Sequence, residues 1–147
     1  MESFTVLMIA TNNYISYAQA SIKSIKSSLF TENPGQVLIF TDKPESFSKY
    51  SDNRVLVETV QIPSLGWPEA TLLRYAIFSE HWNRVSGNYV IYLDADTKVS
   101  GEPKLTDVNF EELRNGVGLV KHPGYFKAGI MKGIKARSPL GTWETRR

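Results

Sequence analysis

Short runs of strand-forming residues alternate with amphipathic stretches along this chain. Residues 4–10, 37–40 and 89–93 are rich in β-branched and aromatic residues and too short for helices, so they predict buried strands. Residues 54–62 and 117–120 are further strand candidates. Turn-forming residues separate these runs, as expected for strands that end in loops.

Helical spacing marks two stretches between the predicted strands. After the first strand, five residues recur at spacings of 4, 4, 3 and 4, which is one face of an amphipathic helix: Tyr14, Ala18, Ile22, Ile25 and Leu29. Residues 69–82 predict a second helix, with Pro68 in its first turn. Its apolar face is expected to comprise Leu72, Leu73, Ala76, Ile77 and Phe78.

Strands that alternate with helices predict an α/β fold with a mostly parallel, Rossmann-like central sheet flanked by helices. The 147 residues are enough for one domain with a substantial core, and the 41% hydrophobic content is ordinary for a soluble globular protein. In such a sheet Thr11 and Asp94, which follow two of the strands, would lie on one rim.

Charge and composition narrow the functional classes. A net charge of +2 gives no strong attraction to nucleic acid. The absence of cysteine excludes disulfides and thiolate metal sites. No apolar run approaches membrane-spanning length, and Met1-Glu2-Ser3 is not the start of a signal peptide. We therefore expect a cytoplasmic protein without a membrane anchor.

The strongest chemical signal is Asp94-Ala95-Asp96, directly after the apolar run 89–93. In an extended chain the side chains of residues i and i+2 point to the same side, and buried strands of α/β proteins end at ligand-binding crevices. Two carboxylates there suit Mg²⁺ or Mn²⁺ together with a substrate phosphate. The alternative is a solvated acidic turn that closes the strand.

Two further side chains have alternative interpretations. Tyr14 belongs either to the core face of its helix or to the rim, where its ring would stack on a flat base. Arg74 lies in an apolar stretch, so it either extends its guanidinium to solvent or pairs with an acid or phosphate, and Asp94 is the natural acid. His122 precedes Pro123-Gly124, so a turn is expected to present its ring, which could bind a sugar hydroxyl, ligate a metal or have no role.

Several familiar sites are excluded. The chain contains no G-x-x-x-x-G-K-[ST] phosphate loop, no G-x-G-x-x-G that opens a helix and no G-x-S-x-G nucleophile motif. A phosphatase or nucleotidyltransferase built on the acidic pair would need further acids around Asp94, and the sequence does not supply them.

Four motifs in order resemble glycosyltransferase family 6, the family of the blood-group A and B transferases and α-1,3-galactosyltransferase. They are Gly66-Trp67-Pro68-Glu69-Ala70-Thr71-Leu72-Leu73-Arg74-Tyr75, Tyr92-Leu93-Asp94-Ala95-Asp96, His122-Pro123-Gly124-Tyr125-Phe126 and Trp143-Glu144-Thr145-Arg146. The resemblance implies a GT-A fold. It also implies a retaining hexosyltransferase that moves galactose or N-acetylgalactosamine from a UDP-sugar to a β-galactoside acceptor in α-1,3 linkage.

The resemblance also assigns roles to individual residues. Ile9, Ala10, Thr11 and Tyr14 match the segment that holds uracil and ribose, with Tyr14 as the stacking ring. Trp67 and Arg74 match positions near the donor phosphates and sugar. Asp94 and Asp96 match the metal-binding pair, usually for Mn²⁺, and Ala95 between them belongs to the donor site. His122 matches a histidine that contacts the oligosaccharide acceptor.

The resemblance has one departure. The family continues past the position of Arg147 through the acceptor pocket, and its catalytic glutamate lies in that part; Glu144 does not match it. From the sequence we therefore expect a C-terminally truncated, bacterial or phage-type donor half, inactive or weakly active alone, with dimerisation through the uncovered faces. The alternatives are a UDP-sugar-binding module without transferase activity and a structural remnant that binds nothing and is kept only as part of a larger assembly.

Overall fold

The computed structural model describes residues 3–31 and 34–100, all within the first of two units of the chain, Met1–Pro103. The strand candidate at 117–120, His122 and the motif from Trp143 lie outside the described residues. The described elements are β1 (Phe4–Ile9), α1 (Tyr14–Ser28), β2 (Gly35–Thr41), β3 (Val55–Gln61), α2 (Glu69–Leu72), α3 (Arg74–Glu80) and β4 (Tyr89–Tyr92). Short 3₁₀ helices occupy Pro44–Phe47 and Trp82–Arg84.

The four strands form one sheet in the order β3-β2-β1-β4, and every pair is parallel. Val6 of β1 lies opposite Val37 of β2 on one side and Ile91 of β4 on the other. The described part is therefore an α/β structure with an all-parallel sheet and accompanying helices, compatible with a Rossmann-like fold, as the alternation of elements predicts.

The order of the strands locates the crevice of the sheet. From β1 the chain steps outward to β2 and β3, and the segment containing α2 and α3 then carries it back to the other side of β1. The direction of winding therefore reverses between β1 and β4. In open parallel sheets, ligands bind outside the carboxyl ends of the strands at such a point.

Burial in the sheet explains why β1 and β2 read as continuous apolar runs. All six residues of β1 are buried, and so is all of β2 after Gly35, because central parallel strands are covered on both faces. Alternate residues Leu7, Ile9, Leu38 and Phe40 join Phe78 of α3 in one hydrophobic cluster. Leu38 and Phe40 are fully excluded from solvent.

The first predicted helix is confirmed. Ala18, Ile22 and Ile25 are each 0% exposed, as the helical spacing requires for a core-facing stripe. Within residues 3–31 and 34–100, none of the helices has the length and apolar character needed to cross a lipid bilayer.

The second predicted helix is wrong in detail. Residues 69–82 form two helices that meet at Leu73, followed by a 3₁₀ turn, rather than one continuous helix. Near the junction, the Thr71 carbonyl accepts a hydrogen bond from the Arg74 side chain at 3.0 Å. Leu72 is 73% exposed and Leu73 is 46% exposed, so the expected apolar face is reduced to Phe78 with partly buried Ile77.

Candidate functional site

The acidic pair lies where the winding of the sheet reverses. The backbone N–H of Leu93 still donates to the carbonyl of Leu7 in β1, at 3.1 Å, and Asp94 is the next residue. Thr11 follows β1, the neighbouring parallel strand. The structure therefore confirms that the segments at Thr11 and Asp94 share one rim of the sheet.

The acidic motif forms a turn rather than the extended chain that its spacing predicts. The N–H of Thr97 donates to the carbonyl of Asp94 at 2.9 Å, which places Ala95 and Asp96 in the middle of a four-residue turn. Ala95 is 5% exposed, whereas Asp94 and Asp96 are both exposed. The buried Ala95 methyl thus anchors the turn while both carboxylates remain accessible to a ligand.

Arg74 pairs with the first carboxylate, as one of its two interpretations anticipates. Its Nη1 lies 3.7 Å from Oδ1 of Asp94, and its side chain is 17% exposed whereas that of Asp94 is 61% exposed. The guanidinium carbon also lies 4.7 Å from the centroid of the Tyr92 ring, within cation–π range. The first residue of α3 therefore brings a permanent positive charge to the carboxyl end of β4.

Tyr92 is a component of the site to which the sequence assigned no role of its own, although it lies in the predicted strand 89–93 and in the Tyr92–Asp96 motif. Its hydroxyl donates to Oδ1 of Asp94, and its ring packs against Phe78 with the centroids 5.5 Å apart. Burial, followed by the hydrogen bond to Asp94, raises the pKa of Tyr92 well above its ordinary value. The hydroxyl is thus protonated at neutral pH and acts as a donor. The sequence signal for this contact was the i, i+2 spacing of Tyr92 and Asp94, which places two such residues on the same side of a strand.

The segment expected to hold uridine is buried, backbone and side chains alike. Ile9, Ala10 and Thr11 are 8%, 0% and 2% exposed, and the Thr11 hydroxyl donates to the carbonyl of Leu65 at 2.7 Å. The N–H of Ala10 donates to the Phe40 carbonyl at 2.9 Å, and the Thr11 carbonyl accepts from the N–H of Tyr14 at 3.1 Å, so these peptide groups are engaged within the fold.

Tyr14 does not belong to the core. It is the first residue of α1 and is 51% exposed, with its ring tilted against that of Tyr17 at a centroid distance of 6.1 Å. The structure therefore excludes the core interpretation of Tyr14 and leaves its ring accessible near the rim that the β1 loop forms.

Asn12 joins the loops that follow three strands, and the sequence pattern gave it no role. Its backbone adopts φ 55°, in the left-handed region that asparagine tolerates better than most residues. Its N–H donates to the Asp42 carboxylate at 3.3 Å, and its side-chain amide donates to the Leu65 carbonyl at 3.0 Å. The Ser64 hydroxyl donates to its side-chain oxygen. Asn12 thereby ties the loop after β1 to those after β2 and β3.

The remaining predicted donor residue, Trp67, lies in the loop between β3 and α2 and is 86% exposed. The loop is closed by Glu69, whose carboxylate accepts from the N–H of Gly66 at 3.1 Å. No described contact brings the Trp67 ring to Arg74 or Asp94. His122, the expected acceptor residue, lies outside the described residues.

The acidic pair suits a divalent cation only in partnership with a ligand. Among residues 3–31 and 34–100, no three histidine, aspartate or glutamate side chains converge to form a metal site. Two accessible carboxylates are nonetheless a hard-oxygen set that Mg²⁺ or Mn²⁺ accepts when phosphate oxygens and water complete the coordination. The residues therefore fit a cation that arrives with a phosphate-bearing substrate.

Comparison with protein-family models and with curated proteins found no match for this chain.

Proposed function

We propose that this chain is the donor-binding part of a metal-dependent retaining glycosyltransferase with a GT-A fold. In this proposal it transfers galactose or N-acetylgalactosamine from a UDP-sugar to a β-galactoside in α-1,3 linkage. One observation carries the proposal: the Arg74–Asp94 pair stands where the winding of a parallel sheet reverses. The Arg74 guanidinium and the carboxylates of Asp94 and Asp96, placed at such a crevice, are suited to a diphosphate ligand.

The nucleoside would bind beside β1. An accessible tyrosine ring offers a stacking surface for uracil. The 51% exposure of Tyr14 supports this role, since the ring is available without rearrangement of the core.

The diphosphate would lie toward Arg74, Asp94 and Asp96. A bound Mn²⁺ or Mg²⁺ would neutralise negative charge on UDP as the bond to the sugar breaks. Arg74 adds a fixed positive charge on the same side, and its 17% exposure favours a strong electrostatic effect. By resemblance, His122 would orient the acceptor. A hydroxyl of the acceptor would then attack the anomeric carbon of the donor sugar as UDP leaves.

Binding and transfer can be tested separately. Calorimetry with UDP, in Mn²⁺ and then in EDTA, measures donor binding. Release of UDP from UDP-galactose or UDP-N-acetylgalactosamine, with and without lactose or a fucosylated galactoside, measures transfer. The variant Asp94→Asn with Asp96→Asn should lose the Mn²⁺ dependence. The matched control is Glu45→Gln with Glu80→Gln, which removes two exposed carboxylates from outside the acidic motif.

Each outcome distinguishes one candidate function. Mn²⁺-dependent binding with acceptor-stimulated release of UDP supports the transferase. Mn²⁺-dependent binding without release supports the alternative, a UDP-sugar-binding module. Equal UDP affinity in Mn²⁺ and EDTA contradicts the metal role of the carboxylates, and no UDP binding at all overturns the proposal.

A further inference from the structure

We propose that Tyr92 is a positioning residue that holds one oxygen of Asp94 and thereby leaves the other available to the ligand. This inference rests on the proposed function, in which Asp94 faces a cation and a diphosphate. It is carried by three contacts around one aromatic ring.

The ring of Tyr92 is held by two residues of one helix. Arg74 and Phe78 are four residues apart on α3, so they lie on the same face of that helix. Arg74 covers the ring at 4.7 Å from its centroid, and Phe78 packs against it at 5.5 Å. The position of the hydroxyl is therefore determined by the packing of α3 against β4.

The hydroxyl and the guanidinium approach the same carboxylate oxygen. Tyr92 donates to Oδ1 of Asp94, and Nη1 of Arg74 lies 3.7 Å from that oxygen. Within residues 3–31 and 34–100, Oδ2 of Asp94 accepts no hydrogen bond. Because Tyr92 and Arg74 share Oδ1, the second oxygen of Asp94, Oδ2, is left as a single, oriented ligand atom.

Without the hydroxyl, Arg74 and Asp94 have a competing arrangement. A planar guanidinium readily forms two parallel hydrogen bonds to a carboxylate, and the present distance of 3.7 Å is longer than such bonds. That two-pronged pair would occupy both oxygens of Asp94. By holding Oδ1, Tyr92 opposes this pair and maintains the carboxylate for the ligand.

The decisive variant is Tyr92→Phe, which keeps the ring and its contacts with Arg74 and Phe78. We expect Mn²⁺-dependent UDP affinity to fall about tenfold, the lower end of the range for removing a partner of a metal ligand. In an Arg74→Gln background the same change should cost less than about twofold, because the competing pair cannot form. Tyr50→Phe, which removes a hydroxyl from a different loop, is the control and should leave affinity unchanged.

Two measurements on the ligand-free protein separate this inference from the proposed function. In NMR of isotope-labelled tyrosine ζ carbons, Asp94→Ala should shift the Tyr92 resonance, which is identified by its loss in Tyr92→Phe. In labelled arginine, Tyr92→Phe should shift the Arg74 Nη resonances as the guanidinium takes up the second oxygen.

The outcomes are distinct. Both NMR shifts with a tenfold loss of affinity that depends on Arg74 support the positioning role. An unchanged Tyr92 resonance in Asp94→Ala, or an affinity loss of equal size in the Arg74→Gln background, overturns it. If both NMR shifts are observed in the variants but the wild-type chain binds no UDP, the positioning contact stands and the proposed function fails.

Discussion

The backbone N–H of Asn12 donates to the carboxylate of Asp42 at 3.3 Å, joining the loops that follow β1 and β2. The side chain of Asn12 reaches in the other direction, to Ser64 and to the carbonyl of Leu65 after β3. One residue in a left-handed conformation thus sets the relative positions of three loops on the rim where we place the donor.

We predict that Asn12→Ala destabilises the protein by roughly 1–3 kcal/mol, because alanine is strained at φ 55° and lacks the side-chain hydrogen bonds. Asn12→Gly should cost less, since glycine accepts the conformation. Urea unfolding measures both. Asn13→Ala is the control, because the Asn13 side chain makes no capping hydrogen bond. Equal losses for Ala and Gly would show that φ is unimportant here.

Periodicity predicted those parts of the fold that depend on short-range pattern. Ala18, Ile22 and Ile25 are buried because α1 lies on the core with a regular stripe. The spacing rule failed at Leu72 and Leu73, which are exposed, since it assumed one continuous helix. Helix breaks that involve a side-chain hydrogen bond to the backbone are not visible in a hydrophobic pattern.

The site was predictable only where the chemistry of a residue calls for a particular kind of partner. Asp94 and its pairing with Arg74 follow from charged residues in apolar surroundings, and the structure brings them together. The partners of Asn12 are 30 and 52 residues away in sequence, at Asp42 and Ser64. Only the order of the parallel strands brings these residues together, and no spacing rule encodes it.

Tyr14 provides a test of nucleoside binding. We predict that Tyr14→Ala weakens UDP binding by roughly 1–3 kcal/mol, the range for loss of a base–aromatic stack. Thermal stability should change little, because Tyr14 is 51% exposed. Tyr17→Ala is the matched control: Tyr17 is 57% exposed and on the same helix. Equal losses of affinity in the two variants would argue against a specific stacking ring.

Gln36 organises hydrogen bonds at the end of the sheet opposite to the proposed donor site. Its side-chain oxygen accepts from the hydroxyls of Thr5 and Ser86 and from the Ser86 N–H, while its amide donates to Glu58 and to the Arg84 carbonyl. We predict that Gln36→Leu lowers the free energy of unfolding by roughly 2–4 kcal/mol, because it strands several of these polar groups. UDP affinity, measured by calorimetry on the folded variant, should be unchanged. A large change in affinity would mean that this network also shapes the donor site.

The stability of the fold should depend on pH through Asp52. Hydrogen bonds from Lys26 and from the N–H groups of Arg54 and Val55 hold the pKa of Asp52 well below its ordinary value. A carboxylate with a lowered folded-state pKa stabilises the fold above its unfolded pKa, and that contribution is lost as the pH falls below about 4. Urea unfolding at neutral and acid pH should therefore show a smaller loss for Asp52→Asn than for the wild type. Parallel pH profiles would exclude Asp52 as a contributor.

Arg74 can be tested with a change that preserves its charge. We predict that Arg74→Lys lowers UDP affinity by about tenfold. Lysine lacks the planar guanidinium, which contacts Asp94 and the face of the Tyr92 ring at the same time. Arg84→Lys is the control, since Arg84 also lies 3.7 Å from a carboxylate, that of Glu58, but belongs to the Gln36 network. Calorimetry at two salt concentrations separates charge from shape. A loss of affinity that persists in high salt points to the guanidinium geometry. Wild-type UDP affinity in Arg74→Lys would reduce the role of Arg74 to that of a simple positive charge.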